Sequence, residues 1–225
     1  MNRMNTFSSI IFLILSSATQ KLDAKTFEIR SVVYDLSRWP IAQNIPVCFM
    51  NRSEVSQEIF DDVVEAIETE YHAQTSVRFI GFEDCNDSDM RVIGVRVQFH
   101  LIHNWSRKSR TRAGGGLSFI GPANASCGAG CGLGTMRLDV GLSGEYPPLE
   151  HAGREFARIQ TRASAVHEFG HALGLAHEHA RTDATACRDL SEQIENDGSY
   201  IYVGEYDEHS IMNYCRTDNP GSLSE

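Results

Sequence analysis

The sequence predicts an α+β domain, and three stretches carry that expectation. "NIPVCFM" (44–50), a helical repeat over 53–75 and "SVRFIGF" (76–82) run strand, helix, strand. That order implies a crossover connection and a partly parallel sheet. A glycine-rich region with short strand candidates follows over 103–141, and "REFARIQTRASAVHEFGHALGLA" then reads as one helix from about Gly153 to Leu173.

The elements can be justified in order along the 225 residues, a length that suits one domain with a sizeable core. Arg3, an apolar run from Phe7 to Leu15 and small residues ending at Ala18 and Ala24 read as a secretory signal, with cleavage after Ala24 preferred. The run is too short to cross a bilayer, which takes roughly 20 residues. A buried N-terminal helix is the alternative. "TFEIRSVVY" (26–34) could form a short strand. In the first helix Val55, Ile59, Val63, Ile67 and Tyr71 recur at helical spacing, and Ser53 and Glu54 suit its positive end. "MRVIGVRVQF" (90–99) alternates as a strand should. Further strands are expected around Leu117–Ile120 and in "TMRLDVGL" (135–142). There is no internal repeat.

Thirty acidic residues against 20 Lys and Arg give a net charge of −10, and losing Arg3, Lys21 and Asp23 with residues 1–24 would leave −11. Such a chain, with no basic run, is a poor partner for nucleic acid or an anionic membrane. Six cysteines agree with export, and sequence order pairs Cys48–Cys85, Cys127–Cys131 and Cys187–Cys215. A structural zinc site at Cys127 and Cys131 is the rival, but no second close pair completes four ligands. Asn-x-Ser sites occur at Asn51, Asn86, Asn104 and Asn124.

The most informative stretch is "HEFGHALGLAHEHAR" (167–181). His167 and His171 are four residues apart, so a helix puts both imidazoles on one face, close enough to share an ion. Imidazole suits zinc, and a catalytic site needs three protein ligands and an open position for water. Glu168 points about a quarter-turn away, out of reach of the ion but within reach of its water, as a general base should be. His177 can be the third ligand only if the helix ends. Gly174, at the position where glycine takes a left-handed conformation, lets the chain turn back. His179 reads as solvent-facing.

The pattern H-E-x-x-H-x-x-G-x-x-H is identified as the metzincin signature. "YDEHSIMNY" (206–214) resembles that group's Met-turn, with Met212 forming a hydrophobic floor beneath the metal. Glu178 after the third histidine, Arg181, Asp183, Tyr214 and "RWPIAQNIPVCF" (38–49) resemble the astacin family in particular. The resemblance covers Trp39 to the C-terminus and is strongest over 164–183 and 206–214. It implies a zincin-like fold: a twisted, mostly parallel five-stranded sheet with an antiparallel edge strand, packed on an active-site helix. A small C-terminal subdomain with the Met-turn would follow. In metzincins a further helix comes next, whereas "GSLSE" ends here on what reads as an N-cap, so that subdomain is expected to be truncated. The expected organisation is a signal at 1–24, a short segment at 25–38 and a metallopeptidase domain at 39–225, divided at 176/177.

The resemblance also implies chemistry. His167, His171 and His177 would hold one Zn2+, Glu168 would be the general base, and the Tyr214 hydroxyl would stabilise the oxyanion. Gly174, Glu178 and Met212 would be structural at the site. In the family that glutamate usually meets a freed N-terminus, and the partner of Glu178 is left open. The expected protein is a secreted, monomeric zinc endopeptidase acting on protein or peptide substrates laid along an edge strand. Gly134–Gly141 is taken for that edge, with an ordinary core strand as the alternative. Two other readings stand: a zinc-binding but inactive interaction module, and a metal-dependent hydrolase of another bond, such as an amide in cell-wall peptide.

Overall fold

The computed structural model describes residues 31–34, 39, 44–73, 75–86, 94–102, 115–122, 134–141, 143–151, 153–184 and 199–214. Their order is β1 (Ser31–Tyr34), β2 (Asn44–Phe49), α1 (Gln57–Ile67), β3 (Arg78–Asp84), β4 (Val95–Ile102), β5 (Gly115–Ser118), β6 (Met136–Gly141), α2 (Arg154–Leu173), β7 (Leu175–Ala176) and β8 (Tyr200–Val203). The expected signal, and cysteines 127, 131, 187 and 215, lie outside the described residues, as do asparagines 104 and 124.

Five strands form one sheet in the order β3-β2-β4-β6-β5. β2 runs parallel to β3 and to β4, and β4 runs parallel to β6, while β5 alone is antiparallel. This is the α+β sheet that the strand–helix–strand order implies. Cys48 on β2 is bonded to Cys85 just after β3, which ties the crossover shut. Closing a loop of that size stabilises by about 3–4 kcal/mol on chain-entropy grounds.

Two expectations are corrected. The first helix begins not at Ser53 but at Gln57, because Ser56 Oγ accepts the Ile59 N–H; Arg52–Glu54 is a separate 3₁₀ turn. The segment taken for the substrate edge is the interior strand β6, bonded to β4 on one side and β5 on the other. The antiparallel edge is β5, which overlaps the strand expected around Leu117–Ile120 and begins two residues earlier, in glycines that show no strand period.

Val55, Ile59, Val63, Ile67 and Tyr71 are all buried, as their spacing requires, and α1 and α2 pack side by side over the sheet. Phe169 on α2 meets Phe79 on β3 edge to face at 4.8 Å. After α1 the chain winds into a wider π turn over Glu68–His72, and Tyr71 there donates its hydroxyl to Val166 O on α2 at 2.6 Å. Asn51 brackets β4: its amide donates to Phe99 O and accepts from Phe99 N, both at 2.8 Å. A glycan on that nitrogen would remove the bracket.

A second sheet, β7-β1-β8, places β1 between two late strands. Val32 pairs with Ala176 and with Tyr202. Tyr34 N–H donates to Gly174 O at 2.8 Å, and the Trp39 indole donates to Ala172 O at 2.7 Å. These bonds satisfy carbonyls that the end of α2 leaves without helical partners. Among the described residues no helix is long and apolar enough to cross a membrane.

An ion-pair ladder joins α1 to α2. Arg154, Arg158 and Arg162, one turn apart, face Glu58, Asp62 and Glu65. Asp62 is buried and takes a two-pronged bond from Arg158, with both contacts at 2.9 Å, and a third from Arg162 at 3.2 Å. Burial pulls the Asp62 carboxyl upward, but the hydrogen bonds and charge of Arg158, aided by Arg162, leave it below its ordinary value. A depressed carboxyl contributes stability that is present above its unfolded pKa and lost as pH falls through the folded one. Asp62→Asn should therefore cost about 2 kcal/mol near neutrality, less than a fully buried pair because the guanidiniums are part-exposed. Urea denaturation should show the gap to wild type closing as pH drops below about 4.

Candidate metal centre

Helix α2 is buried on both sides. Ala165, Val166, Phe169 and Ala172 join the core, while His167, Glu168 and His171 are buried on the face towards β5 and the C-terminal segment. Burying such groups is costly unless each has a partner. His167 donates Nδ1–H to Ile211 O at 2.8 Å, and His171 donates Nδ1–H to Leu175 O at 2.7 Å. These bonds fix each tautomer and turn each Nε2 lone pair to a common point.

Gly174 closes the helix at φ 106°, the left-handed region, and its N–H donates back to Gly170 O and His171 O. The short strand β7 then holds the outgoing chain against β1, and Glu178 N–H donates to Met212 O at 3.0 Å. His177 is thereby brought to the other two histidines. The ligand atoms of His167, His171 and His177 all lie within 4.8 Å of one another. The Nε2 atoms of His171 and His177 are 3.1 Å apart. Two lone pairs that close repel unless a proton or cation sits between them. Zinc at about 2.0–2.1 Å from each nitrogen would set tetrahedral ligands roughly 3.3 Å apart, so the donor set fits that ion. Burial, then the neighbouring charge of His171, lowers the His167 pKa to about 4, which keeps the ring neutral and able to ligate in mildly acid solution.

Met212 is buried beneath α2. A Cβ at Gly170 would lie 2.8 Å from its sulfur and 3.3 Å from the Tyr71 hydroxyl, so the glycine lets the Met212 side chain seat against the helix without shifting. Asn213, which the sequence reading passed over, holds the turn: its amide donates to Tyr206 Oη at 2.7 Å and to Glu208 O at 3.1 Å. A polar residue beside a Met-turn carries no signal of its own, because its partners are backbone and a nearby tyrosine. Tyr214 is 54% exposed, and its hydroxyl lies 3.0 Å from His167 Nε2.

Glu178 is fully buried, and its partners are now visible. Its Oε1 accepts from Arg181 at 3.0 Å and from the Asp207 N–H at 3.1 Å. Arg181 is held in turn by Asp183 at 2.7 Å, and donates to the carbonyls of Gly204 and Glu205. The hydrogen bond to Asp183 first, and the charge of Glu178 after it, raise the Arg181 pKa against the effect of burial.

His179 overturns its solvent-facing reading. It is 4% exposed, its ring stacks at 4.8 Å on His177, and its Nδ1 accepts the Tyr214 N–H at 3.1 Å. Sequence spacing cannot show this, because the chain segment that covers it comes from 35 residues later.

Strand β5 passes directly over Glu168. A Cβ at Gly116 would fall 2.5 Å from Glu168 Cγ and 2.6 Å from Arg137 O. Phe119 N–H donates to Thr135 O at 3.2 Å in the antiparallel ladder. That register turns the N–H and C=O groups of Gly116 and Ser118 away from β6, to the side on which no described strand pairs.

No family model and no curated protein sequence matches the chain. Solved structures do. A structure of myroilysin matches over 86% of this chain and 92% of that one, with 17% identity and a TM-score of 0.54. A crystal structure of myroilysin matches over 79% and 72%, at 17% identity and a TM-score of 0.43. High choriolytic enzyme 1, a hatching enzyme zinc-protease from the medaka fish Oryzias latipes, matches over the same shares at 17% identity and 0.41. The first of these establishes that the chain shares the myroilysin fold, in keeping with the zincin-like architecture expected from the sequence.

Gly174→Ala should test the turn. A side chain in the left-handed region is expected to cost about 1–2 kcal/mol. Displacing His177 should weaken zinc binding on the order of 10-fold or more, measured by competition with a chromophoric chelator. Unchanged affinity would mean that the turn does not deliver the third ligand.

Proposed function

We propose that this protein is a secreted, astacin-like zinc endopeptidase, and the observation that carries the proposal is three converging histidines, two of them fixed in tautomer, beside a buried glutamate. His167, His171 and His177 are the residues that would hold zinc, one ion per chain. Bound there, zinc would acidify a water and polarise a peptide carbonyl. Glu168 takes the proton of the attacking water and passes it to the leaving nitrogen as the peptide bond breaks. The Tyr214 hydroxyl, already at the ligand histidine, donates to the oxygen on which negative charge builds. A peptide extended along β5 would pair with the outward N–H and C=O groups of Gly116 and Ser118, which sets its scissile bond over Glu168. Export is supported by the Cys48–Cys85 disulfide, a bond characteristic of oxidising compartments.

The inactive-module reading predicts zinc binding without turnover. Glu168→Gln separates the two: zinc content should stay at one per chain while cleavage of casein or gelatin falls on the order of 10²–10⁴-fold. Equal rates with and without the carboxylate, or cleavage insensitive to a chelator, would sink the peptidase reading. A peptide-library digest read by mass spectrometry separates it from hydrolysis of another amide.

The edge strand has its own test. Gly116→Val should reduce kcat/KM on the order of 10²-fold by pushing β5 off Glu168, a displacement of the kind that costs that much. Leu117→Ala, on the other face of the strand and 65% exposed, should change it far less.

A further inference from the structure

Four rings make a closed cluster around the metal point. His167 stacks on Tyr214 at 5.1 Å, Tyr214 is tilted against His179 at 4.9 Å, His179 stacks on His177 at 4.8 Å, and His177 is tilted against His167 at 5.4 Å. Two of the four are metal ligands and one is the proposed oxyanion donor. His179 has no part in that chemistry, yet it is among the most buried of the set.

Its contacts are of two kinds. The ring lies nearly parallel to His177, at 22° between planes, and tilted 32° from Tyr214, so it fills the wedge between the third ligand and the tyrosine. Its Nδ1 accepts the Tyr214 backbone N–H at 3.1 Å. Tyr214 itself is more than half exposed and sits just past the Met-turn. The Tyr214 ring rests on the histidines with its other side open to solvent, and a hydroxyl that must meet a charge developing within a fraction of an ångström also needs its backbone fixed.

We propose that His179 is a positioning residue: it fixes the Tyr214 backbone to the third-ligand loop and so sets where the Tyr214 hydroxyl stands over the metal point. The role rests on the peptidase reading of Tyr214, but the placement of the ring can be tested without turnover.

Two variants divide the contacts. His179→Phe keeps a ring and removes the acceptor; His179→Asn removes the ring and keeps an acceptor near Nδ1. Both are compared with Tyr214→Phe in the zinc-loaded protein. Placement is read by NMR of tyrosine labelled with 13C at the ring ε carbons, where the signal of Tyr214 among the seven tyrosines is the one lost in Tyr214→Phe. In His179→Phe that signal should move to the free-tyrosine position, with zinc still at one per chain. Its kcat should fall by the factor seen for Tyr214→Phe, on the order of 10²-fold, at unchanged KM. The double variant His179→Phe/Tyr214→Phe should be no slower than Tyr214→Phe alone. His179→Asn should restore most of the rate. An unmoved Tyr214 signal in His179→Phe would overturn the proposal. So would losses that add in full in the double variant, or loss of zinc along with activity, which would make His179 a support for His177 alone. If wild type shows no chelator-sensitive cleavage, the peptidase reading fails, and the NMR signal still decides whether His179 places Tyr214.

Discussion

One helix face can present two imidazoles to a point, and a third cannot reach it from the same helix. That geometric constraint organises this molecule. A zinc ion held at that point would need three donors, so α2 has to stop one turn after His171 and the chain has to reverse within a few residues. Gly174 supplies the reversal at φ 106°. Everything around it then serves to hold a turn that has no side chain of its own. Tyr34 and Trp39 bond the carbonyls at the helix end, β1 pairs with the outgoing strand, and Met212 O takes the N–H of Glu178.

A second constraint follows from burying polar chemistry inside an apolar helix. Carbonyls of Ile211 and Leu175 fix the two histidines on that face, and Arg181 with the Asp207 N–H fixes Glu178 just beyond the helix. The partners come mostly from backbone. The site therefore depends on the exact path of the 204–214 segment more than on the identity of its side chains. The two glycines nearest the chemistry act by omission. Gly170 leaves room for the Met212 sulfur, and Gly116 leaves room for the Glu168 side chain under an edge strand.

How much of this could be read from the residues divides along the same line. Local periodicity was enough for α1, α2 and the parallel strands, because each element shows its buried face in its own sequence. The histidine spacing and Gly174 were enough for the metal point, because helix geometry and left-handed glycine are local rules. What could not be read is what depends on a neighbour distant in sequence. The role of β6 as an interior strand needs β5 beside it, and the strand expected around Leu117–Ile120 does not show in its own residues which strand it pairs with. The burial of His179 needs Tyr214 above it, and the second partner of Glu178, the Asp207 N–H, comes from 29 residues later. The pairing of β1 with both β7 and β8 has no counterpart in any local pattern.

That last pairing bears on the order in which the protein can assemble. β1 is the middle strand of its sheet, and its neighbours begin at Leu175 and Tyr200, more than 140 residues further along the chain. Contacts so remote demand a large loop-closure cost before they contribute anything, and they form late. The main sheet and the two long helices can gather from nearby segments. The turn that carries His177 gains its sheet support only when the beginning and end of the domain meet. The last tie on the third-ligand turn, Met212 O on the Glu178 N–H, comes from further along the chain still, so His177 would be locked in place among the closing steps of folding.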